Sequence, residues 1–550
     1  MELHLFNEGD KIMQSKRWFQ SYPSGVETSL DIDIPNLTLV DFLETSIKER
    51  PDHLALVFEN EHYTYKEMGE ISRKLASSLQ KKGVTKGTRV ALMMNNCPEL
   101  IFSYYAVLYL GGIVVQNNPM YRERELIYQL RDSGSELLII ENELLDKLVD
   151  VEDEINHIIV ARSNHHSEYE TLMNLIDTGD NSLSPTKLNP KEDIAVLQYT
   201  GGTTGVSKGV MLSHFNLVSN VIQTHKFLGV NTELGKEKVL NVLPLFHVYG
   251  MTVSMNYCLY LQSTLYLVER FEAKEILNII QDEEITMFPG TPTIYVAVIE
   301  SGDISQYDLS SIHTCISGSS PLSIDTKHTF EKLTGAKLVD AYGLSEASPV
   351  THSNPVNGTQ KPGSMGLPIT GTDCKIVDVN DGITEMKVNE PGELIVKGPQ
   401  VMVGYWNRLN ETKETLKNGW LYTGDIAYMD EDGYCFIVSR KKDVIIASGY
   451  NIYPRDIEEV LFEHPAVVEA VVYGIQDDYR GETVKAAIVL RKDYKNKIDE
   501  TELINYCKEN MANYKVPTSI EFREELPKST VGKILRRKLI EEETKCSSTN

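Results

Sequence analysis

Residues 194–212 of the chain read IAVLQYTGGTTGVSKGVML. The stretch Ile194–Tyr199 has the length and apolar character of a buried strand, and it runs into a loop rich in glycine and threonine over Thr200–Gly209. Glycines allow a backbone to turn several N–H groups toward one polyphosphate, and threonine hydroxyls add further donors. Lys208 adds a positive charge at the edge of the loop. The sequence therefore predicts a phosphate-binding loop directly after a strand.

Two other interpretations of this loop are weaker. A glycine-rich loop is often only a flexible surface hairpin, but the hydroxyl groups and the lysine are too concentrated here to favour that hypothesis. A Walker A motif requires Gly, four residues and then Gly-Lys-Ser/Thr, whereas Ser207 precedes Lys208 and Gly209 follows it. Residues 210–212 continue as a strand, and we expect the next helix to begin only near Ser213. A P-loop motor or switch is therefore disfavoured.

The length and charge of the chain limit the classes of function. Its 550 residues exceed the ~250–300 residues at which one hydrophobic core usually stops growing, so at least two domains are expected. Hydrophobic residues make up 41% and charged residues 24%, which is ordinary for a soluble globular protein. The formal net charge of −25 argues against a nucleic-acid partner, because such proteins need a basic surface. The clearest local basic patches are residues 440–442 and 536–538.

Cysteine usage and the N-terminus indicate a cytoplasmic protein. The seven cysteines are scattered and show no CxxC spacing, as in a reduced intracellular protein without a structural zinc site. Residues 1–8 lack the basic and apolar regions of a signal peptide. The longest largely apolar stretch, residues 101–115, is too short to span a membrane and is expected to be a buried helix leading into a strand. Weak peripheral contact at the inner face of a membrane and a homodimer stay open.

The pattern of the chain predicts two domains, 1–440 and 441–550. Helical and strand patterns alternate over the first, which is typical of α/β layering. Within it, residues 64–79 have the spacing of an amphipathic helix, and the polar residues 141–190 are expected to form loops. After residue 440 the pattern favours a small α+β domain, with Pro454 in the first turn of a helix.

The loop at Thr200–Gly209 resembles the phosphate-binding signature of the adenylate-forming superfamily, which includes acyl-CoA synthetases, peptide-synthetase adenylation domains and luciferases. One residue departs from the pattern: Gly201 stands where many members have serine, which removes one hydroxyl donor. The glycine form is similar to that of fatty-acyl-CoA ligases. Further segments resemble the superfamily in the expected order, namely 317–321 (SGSSP), 341–346 (AYGLSE), 420–425 (WLYTGD), 448–451 (SGYN) and 526–533 (LPKSTVGK).

The resemblance spans roughly residues 35–540 and implies a fold. It implies a large N-terminal domain of layered α/β sheets plus a distorted β-barrel, followed by a small mobile α+β domain. Within the superfamily the sequence is similar to bacterial long-chain-fatty-acid–CoA ligases. The finer match lies in residues 199–202 (YTGG), 244–250 (PLFHVYG) and 343–348 (GLSEAS).

The resemblance also implies a site for ATP and Mg²⁺. Glycines at 318 and 343 would let the backbone approach a flat base, and Tyr342 offers an aromatic face. An isolated glutamate is usually a surface charge, but Glu346 follows this segment and supplies the hard oxygen that Mg²⁺ prefers. The metal ligands expected are Glu346 and Thr200. The nucleotide-binding residues expected in this half are Thr200, Gly201, Gly202, Thr203, Thr204, Gly205, Lys208, Gly318, Ser319, Tyr342, Gly343 and Ser345.

The later segments imply a ribose site, a hinge and a channel for coenzyme A. A carboxylate can accept both protons of a cis-diol, so Asp425 suits the ribose, and Arg440 is expected beside it. Lys442 occupies the family's hinge position, whereas Lys441 is expected to be a solvated turn residue. Gly449 is expected to line the pantetheine tunnel, where a side chain would block the passage.

Four residues are expected to be catalytic: Lys533, His247, Thr200 and Glu346. A positioned ammonium stabilises charge on the phosphate and the attacking carboxylate, and the resemblance assigns this role to Lys533 rather than Lys528. His247 is expected to position or gate the acyl carboxylate, although a lone buried histidine is more often a core residue. It is not needed as a general base, because a carboxylate is already ionised at neutral pH.

The expected function is that of an AMP-forming fatty acid–CoA ligase with ATP, Mg²⁺ and coenzyme A. One rival is another member of the superfamily, acting on aromatic or short acids or loading a carrier protein. A rival of a different class is a non-catalytic sensor of acyl groups or nucleotides. The presence of Lys533, Glu346 and Asp425 together argues against the sensor. Acyl chain length depends on a pocket expected near residues 247–251 and 289–293.

Overall fold

The computed structural model describes most of the chain, and two of the predicted elements lie outside it. The loop residues Gly201–Gly205 and the channel residue Gly449 are not among the described residues. The side chains of residues 450, 451 and 544–547 are likewise not described. The described residues are 16–148, 151, 154–163, 168–200, 207–302, 304–320, 322–447, 450–477, 481–495, 497–529 and 532–547.

Capping residues and buried apolar faces define the helices. One of them begins after Thr64, whose side chain forms a capping box with Glu67, and it buries Met68, Leu75 and Leu79 on one face. This confirms the helix predicted over residues 64–79. The α-helices are α1 (Leu39–Glu49), α2 (Tyr65–Lys81), α3 (Pro98–Tyr109), α4 (Glu123–Ser133), α5 (Leu172–Thr178), α6 (His214–Leu228), α7 (Tyr257–Tyr260), α8 (Ala273–Asp282), α9 (Pro292–Glu300), α10 (Ile324–Thr334), α11 (Leu409–Thr415), α12 (Pro454–Glu463), α13 (Glu500–Asn510) and α14 (Arg536–Ser547).

The strands belong to several sheets, and short 3₁₀ turns and one π-helix, Gly250–Asn256, connect them. The strands are β1 (Leu54–Phe58), β2 (Glu61–Thr64), β3 (Arg89–Met93), β4 (Ile113–Gln116), β5 (Leu137–Glu141), β6 (His157–Ala161), β7 (Glu170–Thr171), β8 (Ile194–Thr200), β9 (Lys208–Ser213), β10 (Lys238–Asn241), β11 (Thr264–Leu267), β12 (Met287–Gly290), β13 (Thr314–Ser317), β14 (Lys337–Gly343), β15 (Val350–Ser353), β16 (Leu367–Pro368), β17 (Asp373–Val377), β18 (Gly392–Lys397), β19 (Gly404–Tyr405), β20 (Leu416–Lys417), β21 (Trp420–Met429), β22 (Cys435–Arg440), β23 (Ile445–Ala447), β24 (Tyr450–Ile452), β25 (Val467–Asp477), β26 (Gly481–Leu490) and β27 (Ser519–Phe522).

The described residues form two compact units, one from 16–373 and 396–421 and the other from 374–395 and 422–547. The first unit contains two large sheets. Their strand orders are β16-β15-β14-β13-β12-β10-β11-β1-β2 and β19-β9-β8-β4-β3-β5-β6-β7. Inner strands such as β12, β13 and β14 run parallel, and so do β8, β4, β3 and β5. Parallel strands covered by helices bury both faces, which explains their continuous apolar runs.

The second unit contains two smaller sheets. In the first of them β22 pairs with β21 in antiparallel register, and β21 also neighbours β18. The other sheet has the order β24-β23-β26-β25, with β27 beside β26. Its core packs Ile457 and Leu461 of α12 and Leu503 of α13 against the strand residues Val472 and Ile488. This confirms the predicted α+β arrangement after residue 440.

The fold confirms the predicted mixed α/β class with a large N-terminal part and a smaller C-terminal part. Residues 101–115 form the end of α3 and the start of β4, as predicted. The expectation of loops over 141–190 was wrong in part, because β6, β7 and α5 lie there and Ile159 and Val160 of β6 are buried. Among the described residues, every helix is too short or too polar to cross a membrane.

Candidate active site

The β8–β9 hairpin forms the base of the predicted phosphate loop. Thr200 and Lys208 lie opposite each other in the antiparallel register. The Ser207 hydroxyl donates a hydrogen bond to the Thr200 carbonyl at 2.6 Å, which closes the base of the loop. The predicted strand over Ile194–Tyr199 is thus confirmed, and α6 begins after its N-cap Ser213 as expected. The hairpin fixes where the loop leaves and re-enters the sheet.

Four side chains, which we call the loop clamp, anchor both ends of this loop to α4: Tyr128, Asp132, Tyr199 and Arg408. The Tyr199 hydroxyl donates to Asp132 Oδ2 at 2.8 Å, and Arg408 Nη2 donates to Asp132 Oδ1 at 2.6 Å. The Tyr128 hydroxyl donates to the carbonyl of Ser207 at 2.8 Å and accepts from Arg408 Nη2 at 3.2 Å. Burial, together with the nearby Asp132, raises the pKa of Tyr199, so its hydroxyl stays a donor.

Tyr405 connects the lysine of the loop to the predicted metal ligand. Its hydroxyl donates to Glu346 Oε1 at 2.8 Å, and Lys208 Nζ lies 5.0 Å from the centroid of its ring. Strand β19 holds Tyr405 in place by pairing it with Val210 of β9. Burial and the charge of Glu346 raise the pKa of Tyr405, so the phenol remains protonated. Lys208 and Glu346, two predicted site residues 138 positions apart, therefore meet at a side chain that the sequence did not indicate.

The surroundings of Glu346 fit a magnesium ion. Glu346 lies in the 3₁₀ turn Ser345–Ala347, and its carbonyl accepts a hydrogen bond from the Met402 amide at 2.8 Å. Its carboxylate accepts a hydrogen bond from the Tyr405 phenol and, among the described residues, forms no ion pair. Mg²⁺ usually binds through one or two carboxylates plus substrate phosphates. The donor chemistry matches the prediction for Glu346.

The two segments predicted to hold adenine follow adjacent parallel strands. Strand β13 pairs with β14, and Ser317 lies beside Asp340 in their register. Gly318 and Ser319 come directly after β13, and Tyr342 and Gly343 end β14. The carboxyl ends of neighbouring parallel strands meet at one edge of a sheet, where open α/β sheets bind ligands. The structure thus brings the two predicted segments together.

The glycines of these segments satisfy packing demands within the protein itself. A Cβ atom at Gly343 would lie 2.1 Å from the carbonyl oxygen of Pro349. A Cβ atom at Gly318 would lie 3.2 Å from the ring of Tyr249, where a contact is tight. Packing within the protein therefore already favours glycine at both positions. Their predicted close approach to a base stays a prediction.

His247 and Tyr249 link the segments predicted to form the acyl pocket. The Tyr249 amide donates to His247 Nδ1 at 3.2 Å, which makes Nδ1 an acceptor and leaves Nε2 as the protonated nitrogen of a neutral ring. The Tyr249 hydroxyl donates to the carbonyls of Ile316 at 2.7 Å and Gly290 at 3.2 Å. Residues 247–251 and 289–293 therefore meet, and the buried π-helix Gly250–Asn256 follows directly, as such helices often do at functional sites.

In the second unit, Asp425 and Arg440 are neighbours across β21 and β22. They are paired in the antiparallel register, and Arg440 Nε lies 3.4 Å from Asp425 Oδ1. The Asp425 amide donates to the Thr423 hydroxyl at 3.1 Å, and Asp425 is only 7% exposed. The structure thus places together the two residues predicted to bind ribose.

Lys533 lies in a hairpin that fixes its backbone. The Lys533 carbonyl accepts from the Ser529 amide at 2.8 Å, and the Lys533 amide donates to the Ser529 hydroxyl at 3.2 Å. Gly532 adopts φ +73°, a conformation that glycine takes at no steric cost. Lys533 itself is half-buried. Lys528, the other lysine of this hairpin, instead forms an ion pair with Glu469, in keeping with the prediction that it is a surface residue.

The charged surroundings of Lys533 alter its protonation. Burial and the positive charges of Arg440 and Arg536 lower the pKa of Lys533 to about 8, against the opposite influence of Asp425 and Asp443. The structure therefore unites Lys533 with the predicted ribose pair in one electrostatic cluster. A strongly perturbed lysine beside specific charged partners is typical of a functional site.

The two basic patches have structural partners. Arg536 donates to Asp443 Oδ2 at 2.6 Å, to Glu458 Oε1 at 2.7 Å and to the Val472 carbonyl at 2.7 Å. Lys441 lies in a turn and is exposed, as expected for a solvated turn residue, and its ammonium also pairs at 2.8 Å with Glu393, which is 5% exposed.

Comparison with known proteins matches an N-terminal and a C-terminal region of the chain to two family models. The AMP-binding enzyme family model matches residues 43–406, and the model for the C-terminal domain of the AMP-binding enzyme matches residues 456–533. The chain belongs to the AMP-binding enzyme family. The predicted resemblance to the adenylate-forming superfamily is thereby confirmed. The predicted domain boundary at 440 falls between the two matched regions and stays a prediction.

Relatives of this AMP-binding enzyme match it over nearly their full length. The long-chain-fatty-acid–CoA ligase of Bacillus subtilis (strain 168) is 45% identical over 97% of this chain and 99% of the relative. The long-chain-fatty-acid–CoA ligase of Escherichia coli O157:H7 is 38% identical over 96% and 98%. The solved structure of the anthranilate CoA ligase AuaEII with anthranoyl-AMP has a TM-score of 0.85 and 28% identity, and the match covers 94% of this chain and 99% of that one.

Proposed function

We propose that the protein is an AMP-forming fatty acid–CoA ligase. It converts a fatty acid, ATP and coenzyme A to acyl-CoA, AMP and pyrophosphate through an acyl-adenylate. The observation that carries the proposal is the cluster of Lys533 with Asp425 and Arg440, because it joins a catalytic cation to a site for ribose. The names of the full-length relatives favour a fatty acid as the substrate.

In the first half-reaction the ionised carboxylate attacks the α-phosphate of ATP, and pyrophosphate leaves. The loop at Thr200–Lys208 binds the phosphates, while Asp425 and Arg440 bind the ribose. The Lys533 ammonium stabilises the negative charge that builds up at the reacting centre. Because the cation is already in position, it stabilises this charge without rearrangement of its surroundings. Such preorganised electrostatic stabilisation is the main contribution to the rate of these transfers.

Glu346 and Thr200 are the residues that would hold Mg²⁺. When bound, the ion neutralises phosphate charge and orients the leaving pyrophosphate. Glu346 contributes a carboxylate whose geometry is fixed by the hydroxyl of Tyr405. This assignment rests on the donor chemistry of the residues and on their place in the predicted segments.

His247 orients the acyl carboxylate in this proposal. Since Nδ1 accepts the Tyr249 amide, Nε2 carries the proton, and in this proposal it donates to a carboxylate oxygen. The substrate is already ionised, so the histidine need not remove a proton. A donor in this position would align the attacking oxygen with the α-phosphate.

In the second half-reaction the thiol of coenzyme A attacks the acyl carbon and AMP leaves. The domain 441–550 then pivots at Lys442, which withdraws Lys533 and brings Gly449 to the pantetheine channel. Lys442 is exposed, as a hinge residue in a turn would be. This part of the proposal comes from the resemblance alone.

The proposal is tested by pyrophosphate release from MgATP across a panel of carboxylic acids, with and without coenzyme A. We expect turnover that depends on coenzyme A and peaks at a particular medium or long fatty-acid chain length. Turnover only with aromatic or very short acids would keep the reaction and replace the substrate. No release with any acid, from protein that still binds ATP, would favour a nucleotide-binding sensor.

A further inference from the structure

A single side chain, Tyr405, touches both charged groups of the phosphate side of the site. Its hydroxyl is 2.8 Å from Glu346 Oε1, and its ring centroid is 5.0 Å from Lys208 Nζ. Tyr405 is 8% exposed, and Lys208 and Glu346 are both half-buried. A lysine and a glutamate attract each other through their opposite charges, and the attraction is stronger where less water surrounds them.

Tyr405 holds each charge without neutralising it. The aromatic face attracts the ammonium through its quadrupole, and the phenol donates one hydrogen bond to the carboxylate. Among the described residues, neither Lys208 nor Glu346 takes part in an ion pair.

The backbone makes this arrangement rigid. Tyr405 pairs with Val210 of β9, two residues beyond Lys208, and the Trp406 amide donates to the Gly209 carbonyl at 2.8 Å. The Tyr405 amide donates to the Thr412 hydroxyl at 2.9 Å. A strand pair therefore keeps the phenol at a fixed distance from the end of the phosphate loop.

We propose that Tyr405 is a positioning residue that keeps Lys208 and Glu346 apart, so that the lysine stays available for phosphate and the glutamate for a divalent cation. The inference rests on the proposed ATP site and deepens it. Without the ring, the lysine and glutamate would pair with each other. Phosphate and cation would then have to break that pair before they could bind.

Two substitutions separate the roles of the ring and the hydroxyl. Tyr405→Phe keeps the spacer and removes the hydrogen bond to Glu346, whereas Tyr405→Leu removes both. Tyr266→Phe is the matched control, because the buried Tyr266 hydroxyl also donates to a glutamate, Glu283 Oε2, at 2.8 Å. That glutamate plays no part in the proposed site.

The measurement is the dissociation constant of ATP, determined by calorimetry on the full chain over a series of Mg²⁺ concentrations and with EDTA. We expect Tyr405→Leu to raise the Mg²⁺ concentration at half-saturation by about ten-fold or more and to weaken ATP binding even in EDTA. Tyr405→Phe should raise the Mg²⁺ requirement by a few-fold and leave binding in EDTA unchanged. Tyr266→Phe should change neither quantity.

The outcomes separate this inference from the proposed function. If the unsubstituted protein binds no ATP with Mg²⁺, the proposed function fails. The second case is that the unsubstituted protein binds MgATP and the Tyr405→Leu variant keeps its thermal transition. If that variant then binds MgATP with the same Mg²⁺ dependence, the positioning role is wrong. Equal loss in the Phe and Leu variants would show that the hydroxyl alone matters and would overturn the spacer role of the ring. If Tyr405→Leu does not fold, the test rests on the Mg²⁺ requirement of Tyr405→Phe. An unchanged Mg²⁺ requirement in that variant would reject the inference.

Discussion

The phosphate side of the site and the lysine cluster treat charge in opposite ways. In the first unit, Lys208 and Glu346 carry opposite charges, and both contact Tyr405. In the second unit, Arg440 and Arg536 crowd their positive charges around the half-buried Lys533. One region keeps attractive partners apart, while the other holds repulsive partners together.

The difference indicates two functions. Charges that form no ion pair within the protein can attract a ligand that carries phosphates and a cation. Burial, followed by the positive charges of Arg440 and Arg536, lowers the pKa of Lys533 to about 8, so its charge depends on pH in a range near neutrality. The first region suits binding, and the second suits a group whose charge is needed at one step.

The sharpest way to break this comparison is to remove Lys533. We expect Lys533→Ala to slow formation of the acyl-adenylate by about a thousand-fold, because a preorganised charge is lost from the reacting centre. Thioester formation from supplied acyl-adenylate should change little. The two half-reactions are measured separately, by pyrophosphate exchange into ATP and by acyl-CoA formation.

Lys528→Ala is the control for Lys533→Ala, since Lys528 belongs to the same hairpin and pairs with Glu469. It should keep both half-reactions. An equal loss of both half-reactions in Lys533→Ala would contradict the division of labour between the two regions. Retained adenylation would remove Lys533 from the mechanism.

The sequence predicted the residues of both regions better than the contacts between them. Local patterns sufficed for the strand before Thr200, the helix after Ser213 and the helix that begins at Pro454. The pairing of Asp425 with Arg440 follows from one hairpin, and their closeness agrees with the shared ribose role predicted for them. Such short-range features are encoded by spacing and turn chemistry.

Long-range contacts were missed for a physical reason. Tyr405 lies 59 residues from Glu346 in sequence, and Asp132 lies 276 residues from Arg408, so no local pattern marks either partnership. A tyrosine after a glycine reads as an ordinary strand residue, and an aspartate on an amphipathic helix reads as a solvated charge. Their roles arise only when β19 pairs with β9 and α4 packs beside β8.

The loop clamp offers a second, smaller test of the phosphate side. Arg408→Met removes the guanidinium that bonds Asp132 and Tyr128, so the ends of the loop lose part of their anchor. We expect the KM for ATP to rise by about ten-fold, because a hydrogen-bonded ion pair of this kind contributes on the order of 1.5 kcal/mol. The turnover number at saturating ATP should fall by a smaller factor than the KM for ATP rises.

Arg131→Met is the control for the clamp. Arg131 lies on the same helix, α4, and bonds Glu154 at 2.6 Å, but its side chain is 64% exposed and is not part of the loop clamp. Exposed ion pairs contribute little, so its KM for ATP should stay unchanged. A similar rise in both variants would show that α4 as a whole, rather than the clamp, controls the loop.

The smallest expected effect is a shift in a pH profile, and it tests the lysine cluster most directly. Lys533 must carry its proton to stabilise negative charge, and its pKa is about 8. The rate of adenylation should therefore be highest below that value and fall as the pH rises through it. Removing a positive neighbour raises the pKa of an ammonium group. Arg440→Gln should thus move the falling limb to higher pH by roughly half a unit or more, whatever the variant loses in rate through weaker ribose binding.

Lys441→Gln supplies the comparison that makes the pH shift interpretable. It also deletes one positive charge, next in sequence to Arg440, but the charge of that lysine is offset by its ion pair with Glu393. Its falling limb should stay where it is in the unsubstituted enzyme. If both variants shift the limb equally, the effect comes from net charge rather than from the cluster. If neither does, the limb belongs to another group, and the crowding of positive charge around Lys533 has no part in setting the pH dependence of the reaction.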